Sequence, residues 1–421
     1  MKPHLSVMHW FARKNLAFSR EVVPGFHASD FSPALQTRLL ILQPTPFCNI
    51  DCDYCYLPDR QSTARMSLET VRMAARRLVE ASLLPQELTV VWHAGEPLTV
   101  DVSWYEQAFA VLAEELGAQT KLGHAMQTNA LLINDEWCTL FRRHAVRVGV
   151  SVDGPAELHD VHRKTRTGKG THRRVLSGME KLREHGIECH AIAVVTEETL
   201  RAKERFIEFF ESHPFTELGC NFDEAEGTHE ESSLVGHEDE HAELLKQLLV
   251  RSQVPGSRLR VRELSTALNL IARPLPKVRW QGHEWPLNTQ ALPFAMLNVA
   301  HDGRWSTFSP ELLGQASVAH SDFVFGNVHD QALLAATAGE AFRRTWHAIA
   351  RGIQNCERSC AYFSYCGGGS PANKLYELGG MDGAETLYCR SVVKRPFRIV
   401  LEALESAKAQ RPDAVAAAGV E

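Results

Sequence analysis

An α/β fold built on parallel strands is predicted for this 421-residue chain by three features. Short apolar runs recur as strand candidates at Leu39–Leu42, Leu88–Trp92, Val146–Val152, Cys189–Val195 and Leu218–Phe222. The segments between them are long enough to hold a helix each, as βαβ units require, so the runs describe an open or closed α/β barrel. Clusters of Cys, Glu, Asn and Asp follow several of the runs directly, and such folds carry their functional residues at the C-terminal ends of the strands.

Taken in order, residues 1–36 show no clear period and read as an N-terminal leader or lid. From residue 37 the strand–loop–helix pattern begins, and it fills a region spanning 37–275. Helical spacing over Leu68–Leu84, with Ser67 as N-cap and Pro85 as stop, predicts the first long helix. Gln127-Thr128-Asn129-Ala130 stands where another strand should end. Ser252–Ser257 reads as a turn after a helix, and the change of composition over Pro274–Thr289 marks a boundary. Beyond it, residues 290–400 form a second region with four more cysteines. The Ala-rich stretch 408–421 reads as a disordered tail. No internal repeat is present.

An apolar fraction of 44% and a charged fraction of 23% describe an ordinary globular protein. A net charge of -6 offers no general pull toward nucleic acid or an anionic membrane. No apolar run is long enough to span a bilayer, and the N-terminus lacks a signal peptide's apolar segment. The expected compartment is the cytoplasm, where ten cysteines suit clusters better than disulfides.

The most specific feature is Phe47-Cys48-Asn49-Ile50-Asp51-Cys52-Asp53-Tyr54-Cys55. Three thiolates spaced C-x3-C-x2-C can hold three irons of a [4Fe-4S] cluster and leave the fourth iron open. A zinc site usually closes with four ligands, often in C-x2-C pairs, and disulfides would leave one of the three unpaired. The motif resembles that of the radical S-adenosylmethionine (SAM) enzymes. The resemblance implies a cluster on Cys48, Cys52 and Cys55 that passes one electron to SAM. The resulting 5'-deoxyadenosyl radical then takes hydrogen from the substrate, with Tyr54 lying against the adenine.

His93-Ala94-Gly95-Glu96-Pro97 follows the second strand and is similar to the Gly-Gly-Glu-Pro motif of that family. The resemblance implies that Gly95, Glu96 and Pro97 hold the amino group of SAM. Ala94 replaces the first glycine, a change expected to be tolerated at φ < 0. Asn129, Ser151 and Arg163 are candidates for the ribose and carboxylate of SAM, since amides and hydroxyls suit ribose and a guanidinium suits a carboxylate. The alternative is a plain Asp153-Gly154-Pro155 turn, with Asp160 and Arg163 paired on one helix. Past the last strand, Asp223, Glu224 and Glu226 are candidate bases if burial raises their pKa, or else a solvated acidic loop. His229, His237 and His241 read as part of an exposed acidic helix, with metal binding as the less favoured alternative.

Cys356, Cys360, Cys366 and Cys389 give full ligation of a second [4Fe-4S] cluster, and the same four would suit structural zinc. Gly367-Gly368-Gly369 fits a backbone passing close to a cluster. Cys138, Cys189 and Cys220 are assigned to core packing, with Cys220 on a strand that borders the site. The arrangement resembles the SPASM extension of peptide-modifying radical SAM enzymes, with one auxiliary cluster kept and one lost. Asp302–Phe308 carries no cysteine, and Ser370 stands where a further ligand would follow Cys366. Thr307–Leu312, Phe325–Val328 and Cys366–Lys374 look like the maturases of glycine-rich-repeat peptides, a cyclophane-forming group. The resemblance thus implies a partial (β/α)6 barrel with a SPASM-like domain, using SAM and two [4Fe-4S] clusters. The activity implied is a C–C crosslink between an aromatic ring carbon and a nearby β-carbon of a ribosomal precursor peptide. An external donor of flavodoxin or ferredoxin type is implied, with neither nucleic acid nor membrane as partner. A sulfatase-maturase-like formylglycine-forming enzyme, or a non-catalytic iron-sulfur or zinc scaffold, are the alternatives.

Overall fold

The computed structural model describes residues 25–409. Residues 1–24 of the expected leader, and 410–421 of the expected tail, lie outside the described residues. Residues 25–36 include β1 (Phe31–Ser32). The six strands that follow are β2 (Leu39–Leu42), β3 (Glu87–Trp92), β4 (Lys121–Thr128), β5 (Arg147–Ser151), β6 (Cys189–Val195) and β7 (Leu218–Phe222). They lie side by side in chain order, all parallel, each joined to the next through at least one helix. The apolar runs therefore mark the strands as expected, to within a residue or so at their ends. β4 is longer than its sequence suggested, because Gly123, His124 and Gln127 interrupt the apolar run.

The sheet does not stop at the change of composition. After a hairpin of β8 (Lys277–Trp280) and β9 (His283–Pro286) come β10 (Met296–Val299), β11 (Arg304–Thr307) and β12 (Gly326–Asn327). β10 pairs parallel to β2, and β11 and β12 extend the edge antiparallel, giving the order β12-β11-β10-β2-β3-β4-β5-β6-β7. Residues 290–400 are thus built onto the barrel sheet. β1 pairs with β8, and Trp280 and Phe31 pack on Trp346, so the described part of the leader is fastened to that same region. Among the described residues no helix is long and apolar enough to cross a membrane.

The first long helix runs Leu68–Glu80, with Ser67 Oγ accepting from Thr70 N at 3.0 Å as its cap. It ends four residues before the expected Leu84. Ser82 takes φ 55, and Leu83 turns its carbonyl to Thr37 N at 2.8 Å, just ahead of β2. The helix yields its last turn to the strand entry.

Ala94 adopts φ 72 and Gly95 φ 58, so the expectation of φ < 0 at Ala94 is overturned. The loop after β3 must double back onto the cysteine loop, where Glu96 N reaches Phe47 O at 2.7 Å, and this needs two left-handed residues in succession. A Cβ at Gly95 would stand 2.5 Å from the carbonyl oxygens of both Thr45 and Phe47. The dipeptide should therefore respond asymmetrically. Ala94→Gly should leave stability within about 1 kcal/mol, since relief of left-handed strain offsets the lost methyl and the added chain entropy. Gly95→Ala should cost about 3 kcal/mol from strain and overpacking combined. Urea unfolding of both variants checks this, and equal effects would contradict it.

Candidate active site

The C-terminal ends of the parallel strands open into a cavity of about 860 Å³. Cys48, Cys52 and Cys55 line it on a loop that follows β2. The carbonyl of each cysteine is held by a side chain from elsewhere. Arg166 Nε donates to Cys48 O at 3.1 Å, Arg60 to Cys52 O at 3.0 Å, and the Thr228 hydroxyl to Cys55 O at 2.9 Å. Nothing in the sequence pattern singled out these three residues. Burial pushes the Cys48 and Cys52 thiols up to about 12, and the Cys55 thiol beside them raises both further. Such thiols are neutral and inert until a metal displaces their protons. Among the described residues no group of three or more His, Cys, Asp or Glu side chains is already set in the tight arrangement of a metal site. The fit to a cluster rests on the donor set: three thiols on one fastened loop, all lining the same cavity.

Asp153, which sequence reasoning treated as a turn residue, organises the wall beside this loop. Its carboxylate takes a bidentate grip from Arg163 at 2.8 and 3.0 Å, with the Tyr54 hydroxyl at 2.6 Å and Val194 N at 2.9 Å. Burial pushes Asp153 up, but the Arg163 charge and these hydrogen bonds outweigh it and hold the carboxyl below its usual range. The Asp160–Arg163 pairing of the alternative reading does not form. Asp160 instead accepts from Thr171 N and His172 N, at 2.7 and 2.8 Å, and so caps the next helix. Arg163 lines the cavity with its guanidinium already paired, and Tyr54 lies under it, 5.4 Å from ring centroid to guanidinium carbon.

Gly95, Glu96, Asn129 and Ser151 also line the cavity, whereas Pro97 is buried behind it and opens a short 3-10 turn. The Glu96 carboxylate is 1% exposed and accepts from the Thr128 hydroxyl at 2.7 Å, Asn129 N at 2.8 Å and Leu98 N at 3.0 Å. It stitches the end of β3 to the end of β4, and burial raises its pKa to about 7 against those bonds. Asn129 donates to Asn49 at 2.7 Å beside Cys48, and Ser151 Oγ accepts from Gln127 at 2.9 Å.

The acidic run after β7 is not a solvated loop. Asp223 is buried, bonded to His229 at 2.9 Å and Ser233 N at 2.7 Å. Glu224 and Glu226 face the cavity, bonded to each other, and Asn373 donates to Glu224. Glu311, which sequence analysis had not named as a site residue, joins them, with one carboxyl oxygen buried and unpartnered. Burial pushes Glu224 up to about 8, despite Asn373, and burial with the Glu224 and Glu311 charges beside it raises Glu226 well above the usual carboxyl range. The expected exposed histidine helix is also corrected. His229 lies in the loop on Asp223, and His241 is buried against the Phe222 ring.

From residues 290–400, Cys366 reaches the cavity; burial raises Cys366 and Cys389, and Cys356 and Cys360 lie near enough to raise both further. Ser370, which stands where a further ligand would follow Cys366, is buried with its hydroxyl 3.4 Å from that of Ser309, and Phe308, at the end of the cysteine-free Asp302–Phe308, is buried too. Cys138 and Cys189 are core residues, and Cys220 is buried on β7 against the cavity. All ten cysteines are free of disulfides.

Comparison with known proteins agrees with this geometry. A family model described as the radical SAM superfamily matches residues 42–210. Protein sll1766 of Synechocystis sp. is 37% identical over 393 residues, 91% of this chain and 96% of that protein. The serine-type anaerobic sulfatase-maturating enzyme of Bacteroides thetaiotaomicron is 31% identical over 202 residues, 46% of this chain and 47% of that enzyme. Among solved structures, anSMEcpe with bound AdoMet and the Cp18Cys peptide has a TM-score of 0.70 at 19% identity, covering 89% of this chain and 99% of that one. Streptococcus suis SuiB bound to its precursor peptide SuiA gives 0.58 at 15%, covering 85% and 76%. These two likenesses are of fold.

The raised carboxyl pair fixes a sign for the pH dependence of the metal-free protein. A carboxyl whose folded pKa is above its unfolded value stabilises fully below about pH 4.5, and the gain is lost as pH rises through about 8. Urea midpoints should therefore fall between pH 5 and pH 8. The fall should be smaller in a Glu224→Gln/Glu226→Gln variant, and an unchanged slope would contradict the assignment.

Proposed function

Because this chain belongs to the radical SAM superfamily, we propose that it matures a ribosomally made peptide by forming a C–C crosslink. The bond would join an aromatic ring carbon to the β-carbon of a nearby residue, giving a cyclophane. The observation that carries the reading is the Glu224–Glu226 pair, hydrogen-bonded in the same cavity as the three-cysteine loop. Substitution on an aromatic ring must release a ring proton, and the ionised fraction of Glu224, whose pKa burial raises to about 8, is basic enough to accept one. The peptide-bound SuiB and anSMEcpe complexes, which share the fold, favour a peptide as substrate.

The residues divide the work. Cys48, Cys52 and Cys55 would hold one [4Fe-4S] cluster, and Cys356, Cys360, Cys366 and Cys389 an auxiliary one in a SPASM-like region over 290–400. When bound, SAM and the reduced cluster supply one-electron, hydrogen-abstracting chemistry. Arg60, Arg166 and Thr228 keep the cysteine loop in one conformation. Tyr54, pinned by Asp153, offers its ring to the adenine. Gly95 with the backbone beside it, Asn129 and Ser151 offer polar groups to the rest of SAM. Glu224 or Glu226 would accept the ring proton, and Cys356, Cys360, Cys366 and Cys389 would hold the cluster able to take up the one electron that leaves with it. The cavity walls keep water from the reacting carbons and fix their separation. An external one-electron donor of flavodoxin or ferredoxin type would reduce the first cluster.

A second reading, formylglycine formation on a Ser or Cys, is favoured by the 31% identity to a serine-type sulfatase-maturating enzyme. Against it stand Phe308 and Ser370, which the resemblance places where a second auxiliary cluster would need thiols. Oxidising Ser to formylglycine also removes two hydrogens, so mass alone does not separate the readings. Anaerobic co-expression with a small peptide gene encoded beside this one, then tandem mass spectrometry and hydrazide labelling, does. We expect loss of two hydrogens localised across an aromatic residue and a neighbour, with no hydrazide reaction. An aldehyde on a single Ser or Cys would replace this reading with the second. Glu224→Gln/Glu226→Gln should lower crosslinked product about 100-fold or more, the usual scale of a lost general base.

A further inference from the structure

We propose that Lys374 is the counter-charge of the auxiliary cluster, donating an N–H···S hydrogen bond to Cys356 and raising that cluster's reduction potential. The inference rests on the reading of Cys356, Cys360, Cys366 and Cys389 as cluster ligands. Lys374 is 3% exposed. Its ammonium lies 3.3 Å from Cys356 Sγ and 3.1 Å from Gly352 O. Among the described residues these are its hydrogen-bond partners, a thiol and a carbonyl, with no carboxylate in the set. Burying an ammonium away from water is strongly unfavourable unless an anion sits beside it. A neutral thiol does not meet that need, whereas a thiolate that ligates a cluster does.

The surroundings are shaped for this contact. A Cβ on Gly352 would stand 3.0 Å from the ammonium nitrogen and 2.2 Å from Met381 O, so the glycine leaves the space the ammonium fills. Gly367, Gly368 and Gly369 take φ 64, 109 and 73 in succession, which brings the backbone round to Cys356, whose sulfur lies 3.6 Å from Gly368 O. Lys374 then sits in the first turn of the helix Pro371–Leu378, capped by Ser370, and its neighbour Asn373 donates to Glu224. One helical turn therefore touches both the auxiliary thiols and the proton-accepting carboxyls.

Adding an electron to a thiolate-ligated cluster adds a negative charge. A fixed positive charge in a low-dielectric setting stabilises that reduced state more than the oxidised one. Hydrogen bonds to ligand sulfur act in the same direction. The test is a redox titration of anaerobically reconstituted full-length protein, followed by EPR, with iron analysis on each sample. In Lys374→Met the auxiliary midpoint should fall by at least tenfold in the reduction equilibrium, about 59 mV for one electron. The cluster on Cys48, Cys52 and Cys55 should not move, and Lys374→Arg should stay near wild type. An unmoved auxiliary midpoint in Lys374→Met, or an equal fall in both variants, overturns the proposal. If Lys374→Met loses the second cluster, iron retained in Lys374→Arg supports the charge, and iron lost from both overturns it. Wild-type iron sufficient for one cluster alone would instead remove the auxiliary-cluster reading on which the proposal stands.

Discussion

One buried carboxylate sets the geometry on which the site depends. Asp153 is 2% exposed and holds Arg163, the Tyr54 hydroxyl and the backbone of β6 at once. Through Tyr54 it reaches the cysteine loop, and through Val194 it reaches the neighbouring strand. The pair it makes with Arg163 is a poor source of net stability, because both charges are desolvated. Removing one partner is a different matter, costing about 3–5 kcal/mol by leaving the other buried and unpaired. The pair therefore enforces one arrangement of loop, ring and strand rather than making the fold tighter.

Parallel topology supplies the rest. Six strands running the same way deliver their C-terminal loops to one end, so the thiols after β2, the Glu96 stitch after β3 and the carboxyls after β7 meet in one cavity. The pairing of β10 with β2 then brings the second half of the chain to the same end. Glu311, Cys366 and Asn373 reach the cavity from that half. The three-thiol loop, the carboxyls after β7 and Cys366 of the second half thus line one cavity.

What the sequence disclosed follows from which constraints are local. The cysteine loop was legible because ligation imposes a spacing, and β2, β3, β5, β6 and β7 because a strand buried on both faces is an apolar run. β4 was half hidden by Gly123 and His124, the latter stacked on Phe109 at 4.0 Å within the core. β10 was hidden by Asn298, a buried amide whose Nδ2 donates to Ser306 Oγ at 3.1 Å, a partner on the next strand that no local pattern announces. The same limit applied to the site. Arg163 was marked as a cavity residue, but its partner Asp153 lies across a turn, where helical spacing does not point. Arg60, Arg166, Thr228, Glu311 and Lys374 act through contacts distant in sequence, so residue type alone could not single them out. Ala94 was misjudged because the need for a left-handed residue comes from the cysteine loop behind it.

The central claim is that this cavity, with its three-thiol loop, cleaves SAM. It is tested most directly by measuring 5'-deoxyadenosine released from SAM by anaerobically reconstituted protein given a one-electron reductant. The account predicts release in proportion to the iron loaded at the first site, and its loss when Cys48, Cys52 and Cys55 are all replaced by Ala. Protein that carries iron on those three cysteines, binds SAM and releases no 5'-deoxyadenosine would contradict it.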